Sequence, residues 1–379
     1  MDEPRAPVPV AEVDLDALRR NVRRLRAHLA EGAAMLVAVK ADAYGHGLVP
    51  VARTLVRAGV EALGVATPDE ALALRRAGID ARILAFGPVY GPPLRRLVRA
   101  GIDLTLTDEN DLRRAVDAAE DDVPVQLHLK VDTGMGRLGC RPEAAVALAR
   151  AVALEPTAEL AGVWTHFARA DELASDATEG QRRTFEAVLA RLAAEGIRPR
   201  IRHAANSAAL LAHPATHLDM VRPGIAVYGY PPVTYAPGPE GPLEPVLRLR
   251  APVVFTKRVQ AGEAVSYGHA WRAPQATTIA TLRIGYGDGY PRALSNLGEV
   301  GLPDGRRARV VGRVCMDQTM IDVGSADVEV GDRVDVWGGH GPGADALAER
   351  IGTISYELLT HVAPRVARRY HLRRSDAAG

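Results

Sequence analysis

The sequence predicts an α/β protein, an N-terminal (β/α)8 barrel followed by a C-terminal mainly-β domain, and three observations support this. Short runs rich in Val, Ile and Leu alternate with longer Arg- and Ala-rich amphipathic segments from about residue 34 to residue 228. The stretch Gly229–Pro245, GYPPVTYAPGPEGPLEP, holds six prolines and can continue neither a helix nor a strand. Beyond it the pattern becomes strand-like. At 379 residues the chain is too long for one ordinary core. The expected domains are residues 11–240 and 241–379, with residues 1–10 lending an extra strand to the second.

The barrel strands are expected at Met35–Val39, Ala62–Val65, Arg82–Phe86, Asp103–Leu106, Val125–Val131, Leu160–Thr165, Arg200–Ala204 and Gly224–Tyr228. Helices are expected between them at Leu48–Ala58, Pro68–Ala77, Pro92–Ala100, Asn110–Ala119, Pro142–Ala153 and Gln181–Glu195, most ending near a glycine. Eight strands each followed by a helix place a site at the C-terminal strand ends. In the second domain VVFTKRV, TTIATLRI, RARVVGRVCM, TMIDV and RVDVW read as strands separated by turns. Ala344–Ile351 reads as a helix. Ala6–Val10, ahead of a first helix at about Asp14–Leu29, is expected to form the extra strand.

Composition narrows the function. A formal net charge of +1 offers no field to attract nucleic acid or an anionic membrane. The start MDEPRAPVPV has acids and prolines where a secretory signal needs a basic start and an apolar run, and no later stretch is long enough to span a bilayer. The expected location is therefore cytoplasmic, with small molecules or other protein chains as partners. Cys140 and Cys315 stand too far apart to suggest a disulfide framework or a metal site, and both read as small buried apolar residues. His213 and His217 have i,i+4 spacing, but Pro214 argues against a metal-binding helix, so no metal is expected.

Only three lysines, Lys40, Lys130 and Lys257, stand among 47 basic residues; the other 44 are arginines. Arginine neither forms a Schiff base nor readily gives up its proton, whereas lysine does both when its surroundings depress its pKa. Lys257 reads as a surface survivor. Lys40 ends the first barrel strand in MLVAVKADAYGHG, where Tyr44, Gly45 and Gly47 can bring a phenol and backbone N–H groups to a phosphate. His166 in VWTHFARAD, Asn206 and Ser207 in RHAANSAA, and Arg222 in MVRPGIAVYG lie at other strand ends. Taken alone, Ser207 reads as a helix N-cap. Gly224 and Ile225, after a proline, suit close approach of backbone N–H groups to an anion.

These motifs resemble those of the bacterial alanine racemase family over nearly the whole chain. AVKADAYGHG resembles the family's cofactor-lysine signature, with Asp42 where asparagine is usual, and LKVDTGMGRLG, HFARADE, HAANSAA, VRPGIAVYG, VSYG, IGYGDGYPR, GRVCMDQ and ISYEL follow in the family's order. The resemblance implies pyridoxal 5'-phosphate as cofactor, bound as an aldimine to Lys40, and interconversion of L- and D-alanine by two bases, which supplies D-alanine for peptidoglycan. It places Tyr44, Ser207, Gly224, Ile225 and Tyr356 around the phosphate, and Arg222 at the pyridine nitrogen. Arginine keeps its proton, so the ring would stay unprotonated and act as a weaker electron sink.

The resemblance makes Tyr267 the base opposite Lys40. It belongs to the β domain, which in the family reaches the other subunit's site, so a homodimer is implied. His166, backed by Arg222, assists Tyr267. Arg137 meets the cofactor's phenolic oxygen and the substrate carboxylate, and Lys130 matches a lysine that many members carbamylate, giving an anion that grips arginine. Cys315, Met316 and Asp317 line the substrate pocket, while Tyr286 and Arg292 crowd the entrance with Tyr267 and Tyr356, which suits a substrate as small as alanine.

The rival readings are a pyridoxal phosphate barrel decarboxylase and an amino-acid racemase of broader specificity. Decarboxylation removes no Cα proton and favours a protonated ring nitrogen, so Arg222 and Tyr267 count against it. A non-catalytic cofactor-binding protein would consist of the barrel alone, without the segment from about Leu243 onward. A metal-dependent hydrolase would need His and Asp clusters at strand ends, and none is evident.

Overall fold

A computed structural model describes residues 8–119 and 123–372. The chain forms two compact units, one comprising Leu18–Ala43 and Leu48–Glu244, the other comprising the segment up to Ala17, Tyr44–Gly47 and everything from Pro245 on.

The first unit contains a closed barrel of eight parallel strands, Ala34–Ala38, Ala62–Val65, Arg82–Ala85, Asp103–Leu106, Val125–Lys130, Ala158–Trp164, Ile201–His203 and Met220–Val221. The last pairs with the first, Ala34 with Met220 and Met35 with Val221, which closes the ring. Seven expected strands are present within a few residues of their expected bounds. The eighth is different. Gly224–Tyr228 is not a strand; Ile225–Tyr228 forms a 3-10 turn stopped by Gly229 at φ 95°, and Met220–Val221 closes the barrel instead. A four-residue apolar run such as IAVY carries no period that separates strand from helix, and a strand ending at Val221 leaves Arg222 just beyond its C-terminal end.

Side chains fill the barrel. Leu36, Ala62, Leu84 and Met220 form a buried cluster with Phe86 packed against it, and each large apolar side chain so buried contributes about 1.5–3 kcal/mol. Phe86 occupies the space that a Cβ on Gly64 would need. The surrounding helices are locally encoded. Thr67 and Glu70 make a reciprocal capping box before Pro68–Arg76, and Asp108 accepts from the N–H of Asp111 at the start of Glu109–Ala118.

The second unit is built on an eight-stranded sheet in the order Thr277–Leu282, Thr319–Gly324, Arg307–Val310, Glu299–Gly301, Arg333–Trp337, Leu247–Val259, Val10–Asp14 and Ala367–His371. Leu247–Val259 also pairs with Thr277–Leu282. The extra strand lies at Val10–Asp14 rather than Ala6–Val10, and residues 1–7 lie outside the described residues. Pro9 lacks the N–H that a ladder needs, and the Asp14 carboxylate then accepts from the N–H groups of Asp16 and Ala17, turning the chain into the helix Leu15–Arg26. The expected helix Ala344–Ile351 forms at Ala344–Arg350, and a further short helix spans Ser355–Thr360. Among the described residues no helix is long and apolar enough to cross a membrane.

Candidate active site

Lys40 follows the first barrel strand, as expected, but the chain there is not an open glycine loop. Ala41, Asp42, Ala43 and Tyr44 all have φ between 53° and 55°, one complete left-handed turn without a glycine. Each such residue costs about 1–2 kcal/mol. Local bonds offset the strain: Ala43 N–H donates to Val39 O at 2.8 Å, Leu48 N–H to Asp42 Oδ1 at 2.7 Å, and Ala41 N–H to Glu70 Oε1 at 2.6 Å. Asp42, the departure from the family's usual asparagine, is thus an acceptor that fixes the turn. Lys40 is half-buried, and among the described residues no hydrogen bond or ion pair holds its ammonium. Burial lowers its pKa, Arg137 adds to the effect, and Glu70 opposes it.

Around it the barrel gathers cations on an aromatic plate. Lys130 Nζ lies 4.3 Å and the Arg222 guanidinium carbon 4.8 Å from the ring centre of Trp164, which stacks on His203 at 5.6 Å. Burial first, then Arg137 and Arg222, push the Lys130 ammonium down to about 7. Lys257, in contrast, is exposed on its strand. Arg222 is buried and donates to the carbonyls of Thr165 at 2.6 Å and Ala204 at 2.9 Å. Burial lowers it to about 9, so it keeps its proton at neutral pH.

Arg222 also donates to His166 Nδ1 at 3.3 Å. Because arginine only donates, Nδ1 is unprotonated and Nε2 carries the proton of a neutral imidazole. Burial, with the charges of Arg222, Arg137, Lys130 and Lys40, keeps His166 neutral to well below its usual range. Arg137 itself is exposed, on a turn held by Asp132 Oδ1, which accepts from the N–H groups of Gly134, Met135 and Gly136.

Asn206, not Ser207, caps the helix Ser207–Ala212; its side chain accepts from Ala209 N–H at 3.0 Å. Asn206 is extended whereas Ser207 already belongs to the helix, which frees the Ser207 hydroxyl to accept from the N–H groups of Gly224 at 2.9 Å and Ala226 at 3.3 Å. Ser207, Gly224 and the turn beginning at Ile225 are therefore brought together. Cys140 is buried as expected, and burial pushes its thiol up to about 11.

The second unit groups the remaining expected residues. The Tyr44 and Tyr356 rings lie 6.1 Å apart, and burial pushes the Tyr44 phenol up to about 12, so it remains a neutral donor. Tyr267 is 69% exposed and sits between Ser266 at φ 70° and His269 at φ 49°. The Ser266 hydroxyl donates to Arg313 O at 2.8 Å, and the N–H groups of Tyr286 and Gly287 donate to the carbonyls of Cys315 and Met316 at 3.0 and 2.9 Å. The VSYG, IGYGDGYPR and GRVCMDQ motifs thus meet. Arg365 bridges Asp288 and Asp317, at 2.7 and 2.6 Å. Cys315 is half-exposed rather than buried, because it lies on this surface loop and not in a strand. Tyr286 and Arg292 line a pocket of ≈ 450 Å³ with Ile351, Thr353, Glu357 and His361.

Sequence reasoning missed two residues. Trp164 lies two positions before His166, and its signal was its place at a strand end in a chain with three tryptophans. Glu70 was visible as the fourth residue of TPDE, a capping-box pattern, but its bond to Ala41 was not. Among the described residues no group of three or more His, Cys, Asp or Glu is placed to hold a metal.

The family model for the alanine racemase N-terminal domain matches residues 13–232, and that for the C-terminal domain matches residues 246–370. The chain belongs to the alanine racemase family. An alanine racemase from Salinispora tropica is 44% identical over 367 residues, covering 94% of this chain and 97% of the relative. The structure of alanine racemase from D-cycloserine-producing Streptomyces lavendulae matches with a TM-score of 0.89 and 41% identity, covering 96% of this chain and 97% of that one. Alanine racemase from Bacillus anthracis, determined with bound L-Ala-P, matches with a TM-score of 0.88 and 36% identity over 98% of this chain and 97% of that one. Like the rest of the alanine racemase family, this chain is an isomerase, a racemase with a barrel followed by a mainly-β domain.

Proposed function

We propose that the chain interconverts L- and D-alanine with pyridoxal 5'-phosphate as cofactor, as a homodimer in which each site draws on both copies, and that it supplies D-alanine for peptidoglycan. The Lys40 amine carries the reading. It sits at a strand end, with its pKa lowered by burial and by Arg137, and the left-handed turn fixes the chain beyond it. A neutral amine both condenses with an aldehyde and accepts a proton from carbon. When bound, pyridoxal phosphate supplies the electron sink that makes the Cα proton of an amino acid removable.

The donor set fits that cofactor. Lys40 offers the amine, the Ser207 hydroxyl, whose oxygen accepts from Gly224 and Ala226, keeps its own O–H to donate to an anion, and Arg222 offers a proton-keeping donor to a ring nitrogen. Asn206 orders the turn that presents Ser207. Tyr44, Ile225 and Tyr356 keep the phosphate role that the resemblance implies. Lys130, Arg137, Arg222 and Lys40 all depress His166, so this end of the barrel holds an excess of positive charge suited to anionic groups.

Lys40 holds or releases the proton on one face of Cα, and Tyr267 of the partner subunit does so on the other. His166, with its proton on Nε2, donates to the Tyr267 oxygen and stabilises the phenolate that a base requires. Arg137 orients the substrate carboxylate. The Lys130 amine, neutral in part near pH 7, adds through nitrogen to the carbon of carbon dioxide and releases one N–H proton to solvent, and the resulting carbamate anion pairs with Arg137. Met316, flanked by Cys315 and Asp317, lines the substrate pocket, while Tyr286 and Arg292 narrow the approach.

Incubation of the holoenzyme with L-alanine in deuterated water tests the reading. The expected result is loss of optical rotation with one deuterium incorporated at Cα. Release of carbon dioxide and an amine, or unchanged L-alanine, contradicts it.

A further inference from the structure

A line of polar side chains runs from Arg222 into the barrel interior, through residues with no part in the reaction described above. Arg222 Nη1 donates to His203 Nδ1 at 3.2 Å. His203 Nε2 lies 2.9 Å from His128 Nδ1, and His128 Nε2 lies 3.0 Å from Asp103 Oδ2. Arg82 donates to the same carboxylate oxygen at 2.9 Å. Both imidazoles are fully buried and Asp103 is 4% exposed.

The donors have one consistent assignment. Arginine only donates, so His203 Nδ1 is bare and its proton sits on Nε2, pointing at His128 Nδ1; that nitrogen is then bare, and the His128 proton sits on Nε2, pointing at Asp103. Every proton points from the site end toward the carboxylate, the arrangement in which buried bonds polarise one another. The fold makes room for the line. The register slips between Leu127 and His128, and Gly162 lies opposite, where any Cβ would collide with the His128 ring.

We infer that Asp103 is a positioning residue for Arg222, acting through His128 and His203 to hold the guanidinium in one orientation beneath His166. The consequence for turnover rests on the proposed function; the line itself does not.

Nitrogen-15 NMR of the histidine-labelled holoenzyme reads the tautomers directly. At neutral pH, His128 and His203 are expected to be protonated at Nε2 and bare at Nδ1. Asp103→Asn keeps an acceptor but loses the charge, so the tautomers persist while kcat falls about tenfold with little change in KM, the loss expected when one charge-assisted link of a buried network is neutralised. Asp103→Leu removes the acceptor while Arg222 still sets both tautomers from the other end of the line, so the tautomers are expected to persist and kcat to fall at least as far as in Asp103→Asn. A proton on Nδ1 of either histidine in the wild type overturns the inference, as does an unchanged kcat in Asp103→Asn. If Asp103→Leu does not fold, those two measurements still decide. Should the wild type fail to exchange the Cα proton of alanine, the functional reading falls while the tautomers continue to test the line.

Discussion

The barrel end and the β unit hold their candidate residues in opposite states. Lys130, Ser207 and Arg222 are each no more than 5% exposed; burial lowers the pKa of Lys130 and of Arg222, and the charges of Arg137 and Arg222 add to it at Lys130. Tyr267, Tyr286 and Met316 are 69%, 44% and 55% exposed in the single chain, carried on turns that a few backbone bonds hold together. Burial holds the barrel end as a half-site within one copy, whereas exposed large apolar residues ask for a cover. The proposed homodimer provides that cover, and substitutions on each side should separate the two halves.

Lys40→Ala is expected to have the largest effect. It removes the anchoring amine and one base together, so racemisation falls at least about 10⁴-fold in both directions, measured by coupled D-alanine production. Tyr267→Ala affects one face only. The family resemblance implies that Lys40 serves D-alanine and Tyr267 serves L-alanine, so racemisation falls about 10²–10⁴-fold, yet D-alanine still exchanges its Cα proton with deuterated water through Lys40, while L-alanine does not. Equal exchange from both enantiomers would break the assignment of faces.

Lys130 sharpens the comparison through pH. The unfolded chain keeps this lysine protonated up to its ordinary value of 10.5, whereas the folded protein releases the proton near 7. Between those values the unfolded state binds more protons, so stability rises with pH across that window, and Lys130→Met should flatten the curve there in denaturant titrations. With labelled bicarbonate, a carbamate carbon signal should grow as the pH passes about 7. Its removal should cost roughly tenfold in kcat, the worth of one charge-assisted pair.

Glu70→Ala gives the smallest change. It deletes the acceptor for the N–H groups of Ala41, Ala66 and Thr67, and should destabilise the protein by about 1–2 kcal/mol in urea unfolding.

The same contrast explains what the sequence made legible. Alternating apolar runs marked seven barrel strands because a buried parallel strand and an amphipathic helix differ in period. They failed at Gly224–Tyr228, where four apolar residues fit a 3-10 turn as well as a strand. Lys40, His166 and Arg222 were visible because a chain rich in arginine kept a lysine at one strand end and polar residues at others. The left-handed turn after Lys40 was not visible, because Ala-Asp-Ala-Tyr has no glycine to announce positive φ and the bonds that hold it come from Asp42 and Glu70. Ser207 taken alone reads as a cap because its neighbour Asn206 has equal capping chemistry, and only the backbone angles separate the two.

Mixing two inactive proteins tests the central claim most directly. Lys40→Ala and Tyr267→Ala subunits, unfolded together and reassembled, should form mixed dimers in which one site pairs an intact Lys40 with an intact Tyr267 from the other copy. Racemase activity should then rise well above that of either parent, in proportion to the mixed dimer counted by native mass spectrometry. Mixed dimers that form and stay as inactive as their parents would contradict a site shared between subunits.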